Sequence, residues 1–188
     1  VPLYVDYTCF PWAHGILTVE KAPETAKQFL AGGGINAGGS SGDRNHWVGY
    51  GANHPAGREI YREIWTYGVQ KIKESGGTPL FYELFNEPAY NDPSEYNRGL
   101  FAKYLEEKYG DVAKMNSVWR ANYESFAAAT AFKREAENPG LFVDWAKFME
   151  DSFADLCKLG VDTITAIDPQ AHCCVQIMGM DLYRALPK

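Results

Sequence analysis

Pro79-Leu80-Phe81-Tyr82-Glu83-Leu84-Phe85-Asn86-Glu87-Pro88 is the stretch that decides the fold. Residues 79–85 are nearly all apolar and rich in aromatics, the composition of a strand buried on both faces of a parallel sheet. Pro88 brings no amide donor and ends the ladder. In parallel α/β folds, ligand sites sit at the carboxyl ends of the strands. Asn86 and Glu87 are therefore an amide and a carboxylate placed at the mouth of a cleft.

The flanking pattern supports this. Residues 2–10 (PLYVDYTCF) read as a strand and residues 20–30 as a short helix. Residues 32–57 hold nine glycines and read as a long loop. Residues 58–75 turn helical, with Ile60, Tyr61, Ile64, Trp65 and Ile72 on one face, and Gly76-Gly77 end the helix. After the central strand, Asp92-Pro93-Ser94-Glu95 predicts a helix start: Asp92 caps, Pro93 takes the first helical position and Glu95 closes a capping box. That helix carries Leu100, Phe101, Tyr104 and Leu105, and Gly110 stops it. Asp111 opens a short helix through Trp119. After a loop, Pro139 precedes a long helix over 141–167 with a stripe of Trp145, Phe148, Met149, Leu156, Leu159 and Ile164. Asp168-Pro169 ends it. Residues 171–178 (AHCCVQIM) read as a third strand.

Strand, helix, strand, helices, strand means parallel βαβ units. A (β/α)₈ barrel and a doubly wound sheet both fit. A barrel needs eight strands and ~250 residues, so the barrel reading makes this 188-residue chain a fragment. Val1 stands where Met would, and no basic-then-apolar leader follows it, which reads as a chain processed or cut from a longer one. A self-contained α/β domain is the competing reading. It would leave unpaired strand edges and an uncovered apolar face, so the isolated chain is expected to be poorly stable or to associate.

Composition removes several function classes. Apolar residues make up 46% and charged residues 22%, which argues against a disordered chain. The net charge of −6, with no Lys/Arg-rich run, leaves no electrostatic footprint for nucleic acid. No apolar run approaches the ~20 residues of a membrane helix. Neither a phosphate-cradling P-loop nor a dinucleotide fingerprint is present. Cys9, Cys157, Cys173 and Cys174 form no C-x-x-C pair and read as free thiols. The histidines show no ligand spacing, so no metal or cofactor is expected.

Glycoside hydrolysis needs a carboxylic acid to protonate the leaving oxygen. Glu87 at a strand's carboxyl end is placed for that, and Asn86 for a hydrogen bond to a neighbouring sugar hydroxyl. Taken alone, the tripeptide equally fits a turn-capping Glu. Glu83, four residues earlier, is expected by strand alternation to share a face with Phe81, Phe85 and Glu87. It reads as a buried acid paired structurally, as does Asp6. Trp12, His14, Trp47, Tyr50 and Tyr90 are expected at the carboxyl rim. Of these, Trp12, Trp47 and Tyr90 are candidates for stacking on sugar. Trp65, Trp119 and Trp145 lie on apolar helix stripes and read as core.

The order Tyr82-Glu83-Leu84-Phe85-Asn86-Glu87-Pro88, Phe101-x-x-Tyr104-Leu105-x-x-Lys108-Tyr109-Gly110-Asp111, Met115-Asn116-x-x-Trp119, Tyr123-x-Ser125-Phe126, Asn138-Pro139, Asp144-Trp145-x-x-Phe148, Asp168-Pro169 and Met178-Gly179 resembles the β-galactosidases of glycoside hydrolase family 42, within the clan of retaining (β/α)₈ glycoside hydrolases. The likeness covers residues 1–179. It implies that residues 1–188 are part of one catalytic TIM barrel domain incomplete at both ends, with strands three to five and their helices. It further implies that Glu87 is the general acid/base and that the nucleophile Glu lies beyond Lys188. Arg44 resembles the family's sugar-contacting Arg, which gives Arg44, Asn86, Trp12, Trp47 and Tyr90 as the substrate-binding set. An oligo- or polysaccharide is the implied substrate, without cofactor, nucleic acid or membrane. Pro88 stands where the family has an aromatic residue. Tyr82-Glu83 resembles the cellulase-like family 5, and the zinc-binding cysteine cluster of some family 42 members is missing. A family 5-like endo-glycanase and a non-hydrolytic carbohydrate-binding barrel are the alternative readings.

Overall fold

The computed structural model describes residues 4–6, 48 and 50–176, the first of these by backbone alone. The helix expected at 20–30 and most of the glycine-rich segment lie outside the described residues. Three strands form one sheet in the order β1 (Tyr4–Asp6), β2 (Phe81–Asn86), β3 (Cys173–Gln176). Both pairings are parallel, with Asp6 opposite Glu83 and Glu83 opposite Cys174. The α-helices are α1 (Pro55–Glu74), α2 (Glu95–Tyr109), α3 (Val112–Trp119), α4 (Phe126–Ala129) and α5 (Pro139–Ile167). A single 3₁₀ turn, Glu135–Glu137, precedes α5. The expected loop after α3 thus contains two short elements.

Local chemistry sets most boundaries. His54 Nδ1 accepts from the Ala56 amide and caps α1, with Pro55 in its first turn, so the helix begins three residues before the expected start at 58. α2 starts differently from expectation. Ser94, not Asp92, is its N-cap, with Oγ accepting from the Asn97 amide. Asp92 lies outside the helix because its carboxylate is already engaged by the Ser94 amide and the Asn97 side chain. Gly110 ends α2 at φ 71, the left-handed conformation that glycine adopts without a Cβ clash. Asp111 caps α3, and Asn138 Oδ1 caps α5 through the Gly140 and Leu141 amides.

Two cores result, and α5 serves both. In the first, β2 packs on α1 and the second half of α5 through Trp65, Tyr82, Leu84, Phe85, Leu156 and Ile164, each no more than 2% exposed. Each such side chain contributes about 1.5–3 kcal/mol by burial. Gly160 permits the close approach: a Cβ there would stand 2.9 Å from Leu84 Cδ2 and 3.1 Å from the Trp65 ring. In the second core, α2, α3 and the first half of α5 enclose Phe101, Leu105, Met115, Trp119, Leu141 and Trp145. Trp65, Trp119 and Trp145 are thus all core.

A register shift between Glu83 and Phe85 interrupts strict alternation along β2. Phe85 packs against Tyr61, Trp65 and Phe153, rings of α1 and α5. Leu84 approaches the same two helices at Gly160 and Trp65. The expectation that Glu83 and Phe85 share a face is therefore corrected: the bulge turns Phe85 toward the helices. Glu83 is 3% exposed, a buried acid as expected. Cys157, Cys173 and Cys174 are free thiols. Among the described residues, no helix is long and apolar enough to cross a membrane.

Candidate active site

Asn86 is the last residue of β2, and Glu87 follows it at φ 48. A left-handed conformation costs a non-glycine residue about 1 kcal/mol or more. It turns the chain sharply out of the sheet at the strand's carboxyl end. The Glu87 amide still donates to the Gln176 carbonyl of β3 at 2.7 Å, so the turn is tied to two strands. Glu87 itself is half-buried. Asn86 Oδ1 is buried with no hydrogen-bond partner among the described residues. A buried carbonyl left this way costs roughly 1–3 kcal/mol. An unpaired acceptor beside a strained carboxylate is the feature expected where a ligand completes the bonding.

The loop that carries Glu87 is anchored along its length. Trp145 Nε1 donates to Asn91 Oδ1 at 2.6 Å. The Asp92 amide meets Met149 Sδ at 3.3 Å. Asn53 Nδ2 donates to Ser152 Oγ at 2.8 Å and to Asn97 Oδ1 at 2.9 Å. Trp145, Met149 and Ser152 are spaced i, i+4, i+7, so one face of α5 holds the loop at Asn91 and Asp92 and the segment ahead of α1 at Asn53.

Tyr90 is the centre of this arrangement. Its hydroxyl accepts from the Ala52 amide at 2.9 Å and from Asn97 Nδ2 at 3.3 Å, and donates to Asp92 Oδ2 at 3.3 Å. Those three bonds use the full capacity of a phenol. Burial raises the Tyr90 pKa well above its usual value, and the neighbouring Asp92 adds to the effect. Burial also pushes the Asp92 carboxyl upward, against hydrogen bonds from Ser94 and Tyr90 that draw it down. His54, nearby, is lowered by burial while Asp92 acts to raise it.

Two rim expectations change. The Tyr90 hydroxyl is turned into the loop network, bonded to Ala52, Asn97 and Asp92. Tyr50 is 4% exposed and packs edge-on against Tyr61, whose hydroxyl its amide contacts, so Tyr50 belongs to the core. Arg44, Trp12, Trp47 and His14 lie outside the described residues, as does the Asp6 side chain. The network residues Asn53, Asn97 and Ser152 carried no sequence signal, since isolated polar residues in loops and helices read as solvated. Asp92 did carry one, as a helix cap, and its actual role is close to that. Among the described residues no group of three or more His, Cys, Asp or Glu is placed to hold a metal ion.

A parallel sheet flanked by helices, with a carboxylate and an amide at the end of its central strand, defines an α/β enzyme-type scaffold. The glycoside hydrolase family 42 model, described as beta-galactosidase, matches residues 38–186. The chain belongs to glycoside hydrolase family 42. Its structure is similar to the beta-galactosidase from Bacillus circulans sp. alkalophilus, with a TM-score of 0.65 and 14% identity over 95% of this chain and 32% of that one. The apo exo-carrageenase of family 42 from Bacteroides ovatus superposes with a TM-score of 0.61 and 23% identity over 83% of this chain and 22% of that one. The beta-galactosidase from Rahnella sp. R3 gives 0.62 and 14% over 94% and 31%. At these identities the likeness is one of fold. The chain spans between about a fifth and a third of these relatives' lengths.

Proposed function

We propose that this chain contributes the acid/base half of the active site of a retaining glycoside hydrolase acting on β-glycosidic bonds, galactosides in the first instance. The observation that carries the reading is the pair at the end of β2: Glu87 in a left-handed turn, beside an Asn86 carbonyl that is buried and unpaired. In this reading β1, β2 and β3 are the third to fifth strands of a TIM barrel. Residues 1–188 then belong to one catalytic domain continued at both ends. Glu87 protonates the glycosidic oxygen as the bond to the anomeric carbon breaks, and a second carboxylate takes that carbon as a covalent ester. Glu87 then removes a proton from water, which attacks the ester and releases the sugar. The two carboxyls stand about 5–5.5 Å apart in such a mechanism. Asn86 Oδ1 accepts a sugar hydroxyl beside the reacting carbon and gains the partner it lacks. Arg44, Trp12 and Trp47 contribute sugar contacts, and the substrate is an oligo- or polysaccharide.

The test is hydrolysis of aryl β-glycosides by the full-length protein and its Glu87→Ala variant, with and without azide. On poor leaving groups the variant is expected to lose about 10²–10⁴-fold, the usual contribution of a general acid. On activated ones, azide is expected to restore turnover and yield a glycosyl azide of retained configuration. Unchanged rates in Glu87→Ala would remove Glu87 from the chemistry.

A further inference from the structure

The Tyr90 hydroxyl spends all of its hydrogen-bonding capacity inside the protein, three residues from the carboxylate assigned to the chemistry. We infer that Tyr90 is a positioning residue for Glu87: its hydroxyl locks the Glu87 loop to the 50–54 segment and to α2, and does not contact substrate. This inference rests on the acid/base assignment of Glu87.

Three observations carry it. First, the Ala52 amide is 38 residues away in sequence and donates to the Tyr90 hydroxyl at 2.9 Å, which joins the segment ahead of α1 to the loop after β2. Second, the same hydroxyl meets Asn97 and Asp92. Asn97 is 1% exposed and Asp92 3%, so these bonds lie away from solvent. Asn97 Oδ1 extends the chain to Asn53, and Asn53 to Ser152 on α5. Third, the loop starts from a strained turn at Glu87, whose φ of 48 needs its surroundings to hold it. A hydrogen-bonded network with every member satisfied has one arrangement. Opening it at Tyr90 frees the loop's far end, and a general acid works only within hydrogen-bond reach of the leaving oxygen.

The experiment uses the full-length enzyme and two β-glycosides of the same sugar. One has a poor alkyl or phenyl leaving group that requires protonation. The other has a dinitrophenyl group that departs without it. Tyr90→Phe keeps the ring and removes the hydroxyl. Asp92→Asn keeps the shape and removes the carboxylate charge that accepts from it. Both variants are expected to lose about tenfold in kcat/KM on the poor leaving group, mainly in kcat, because small misplacement of a reacting group is costly. On the dinitrophenyl glycoside kcat/KM of each is expected to stay within about twofold of the parent, since departure of that group needs no acid, while kcat is free to fall with the base-assisted attack of water.

A purely structural Tyr90 would reduce both substrates equally through the folded fraction, and a sugar-binding Tyr90 would raise KM for both. Either result, or no loss on either substrate, overturns the inference. Glu87→Ala in the same assay separates the two claims. If it shows the leaving-group selectivity and neither Tyr90→Phe nor Asp92→Asn does, the role of Tyr90 falls and that of Glu87 stands. If it lacks the selectivity, the acid/base assignment fails and the inference with it.

Discussion

Glu87 and Gly140 show how single positions carry the architecture. Glu87 holds a backbone angle that disfavours it, and the Gln176 carbonyl secures the turn. Gly140 lies under Trp119: a Cβ there would fall 2.5 Å from Trp119 Cγ and 2.9 Å from its Nε1. That indole cannot easily yield, because its Nε1 donates to Asp144 Oδ2 at 3.0 Å, within a cluster where the Tyr109 hydroxyl reaches the same oxygen at 2.6 Å. Lys108 closes the cluster on Asp144 Oδ1 at 2.5 Å. Gly140→Ala is therefore expected to destabilise the full-length protein by about 1–3 kcal/mol despite alanine's better helix propensity. A lower urea midpoint at unchanged slope would show it; an unchanged or higher midpoint would mean that Trp119 gives way freely. Residue-scale chemistry was partly legible in sequence. The indoles on helix stripes declared themselves as core. Tyr90 and Tyr50 did not declare that they point inward, because an aromatic residue in a loop carries no periodicity to assign it a face.

At the scale of elements, caps and breakers marked most ends: Gly110, Asp111 and Asp168 act where the sequence placed them, while α5 begins at Pro139 with Asn138 as its cap, ahead of the expected start at 141. The bulge in β2 was not legible, since it depends on the partner strand's register and not on PLFYELF itself. At the opposite end of that strand, the Tyr82 hydroxyl donates to Asp168 Oδ2 and Lys73 Nζ meets Asp168 Oδ1, each at 3.1 Å. This links β2 to the last turns of α1 and α5. The Lys73 ammonium, with help from Tyr82, holds the Asp168 carboxyl below its ordinary value. A depressed carboxyl contributes stability above its unfolded pKa of about 4 and loses it as pH falls through the lower folded value. Lys73→Met is thus expected to be less stable than the parent near neutral pH, by at most about 1 kcal/mol because solvent reaches the pair. The deficit should vanish in strong acid. A difference in unfolding midpoint that stays constant from neutral to acid pH would exclude the electrostatic origin.

For the whole molecule, the α/β alternation was legible because helices and strands differ in apolar period. The barrel was not, because three strands alone fit either closed or open sheets. Among the described residues β1 and β3 each pair only with β2, and β3 alternates half-buried and exposed residues. Such edges recruit other chains. Expressed alone, residues 1–188 are expected to associate or to unfold without a cooperative transition, read by sedimentation and urea titration; a monomer with a sharp transition would mean the sheet edges are protected. The 29-residue α5, about 43 Å long, bears on evolution as much as on stability. Its Trp145 and Met149 hold the acid-bearing loop, its Ser152 holds Asn53 ahead of α1, and its Gly160 and Ile164 seat the central strand. One residue gained or lost between them would swing everything downstream by about 100° around the helix axis. Insertions and deletions among homologues should therefore collect in the segment before Asn138 and spare the interior of this helix, whose length acts as a gauge for the distance between loop and sheet.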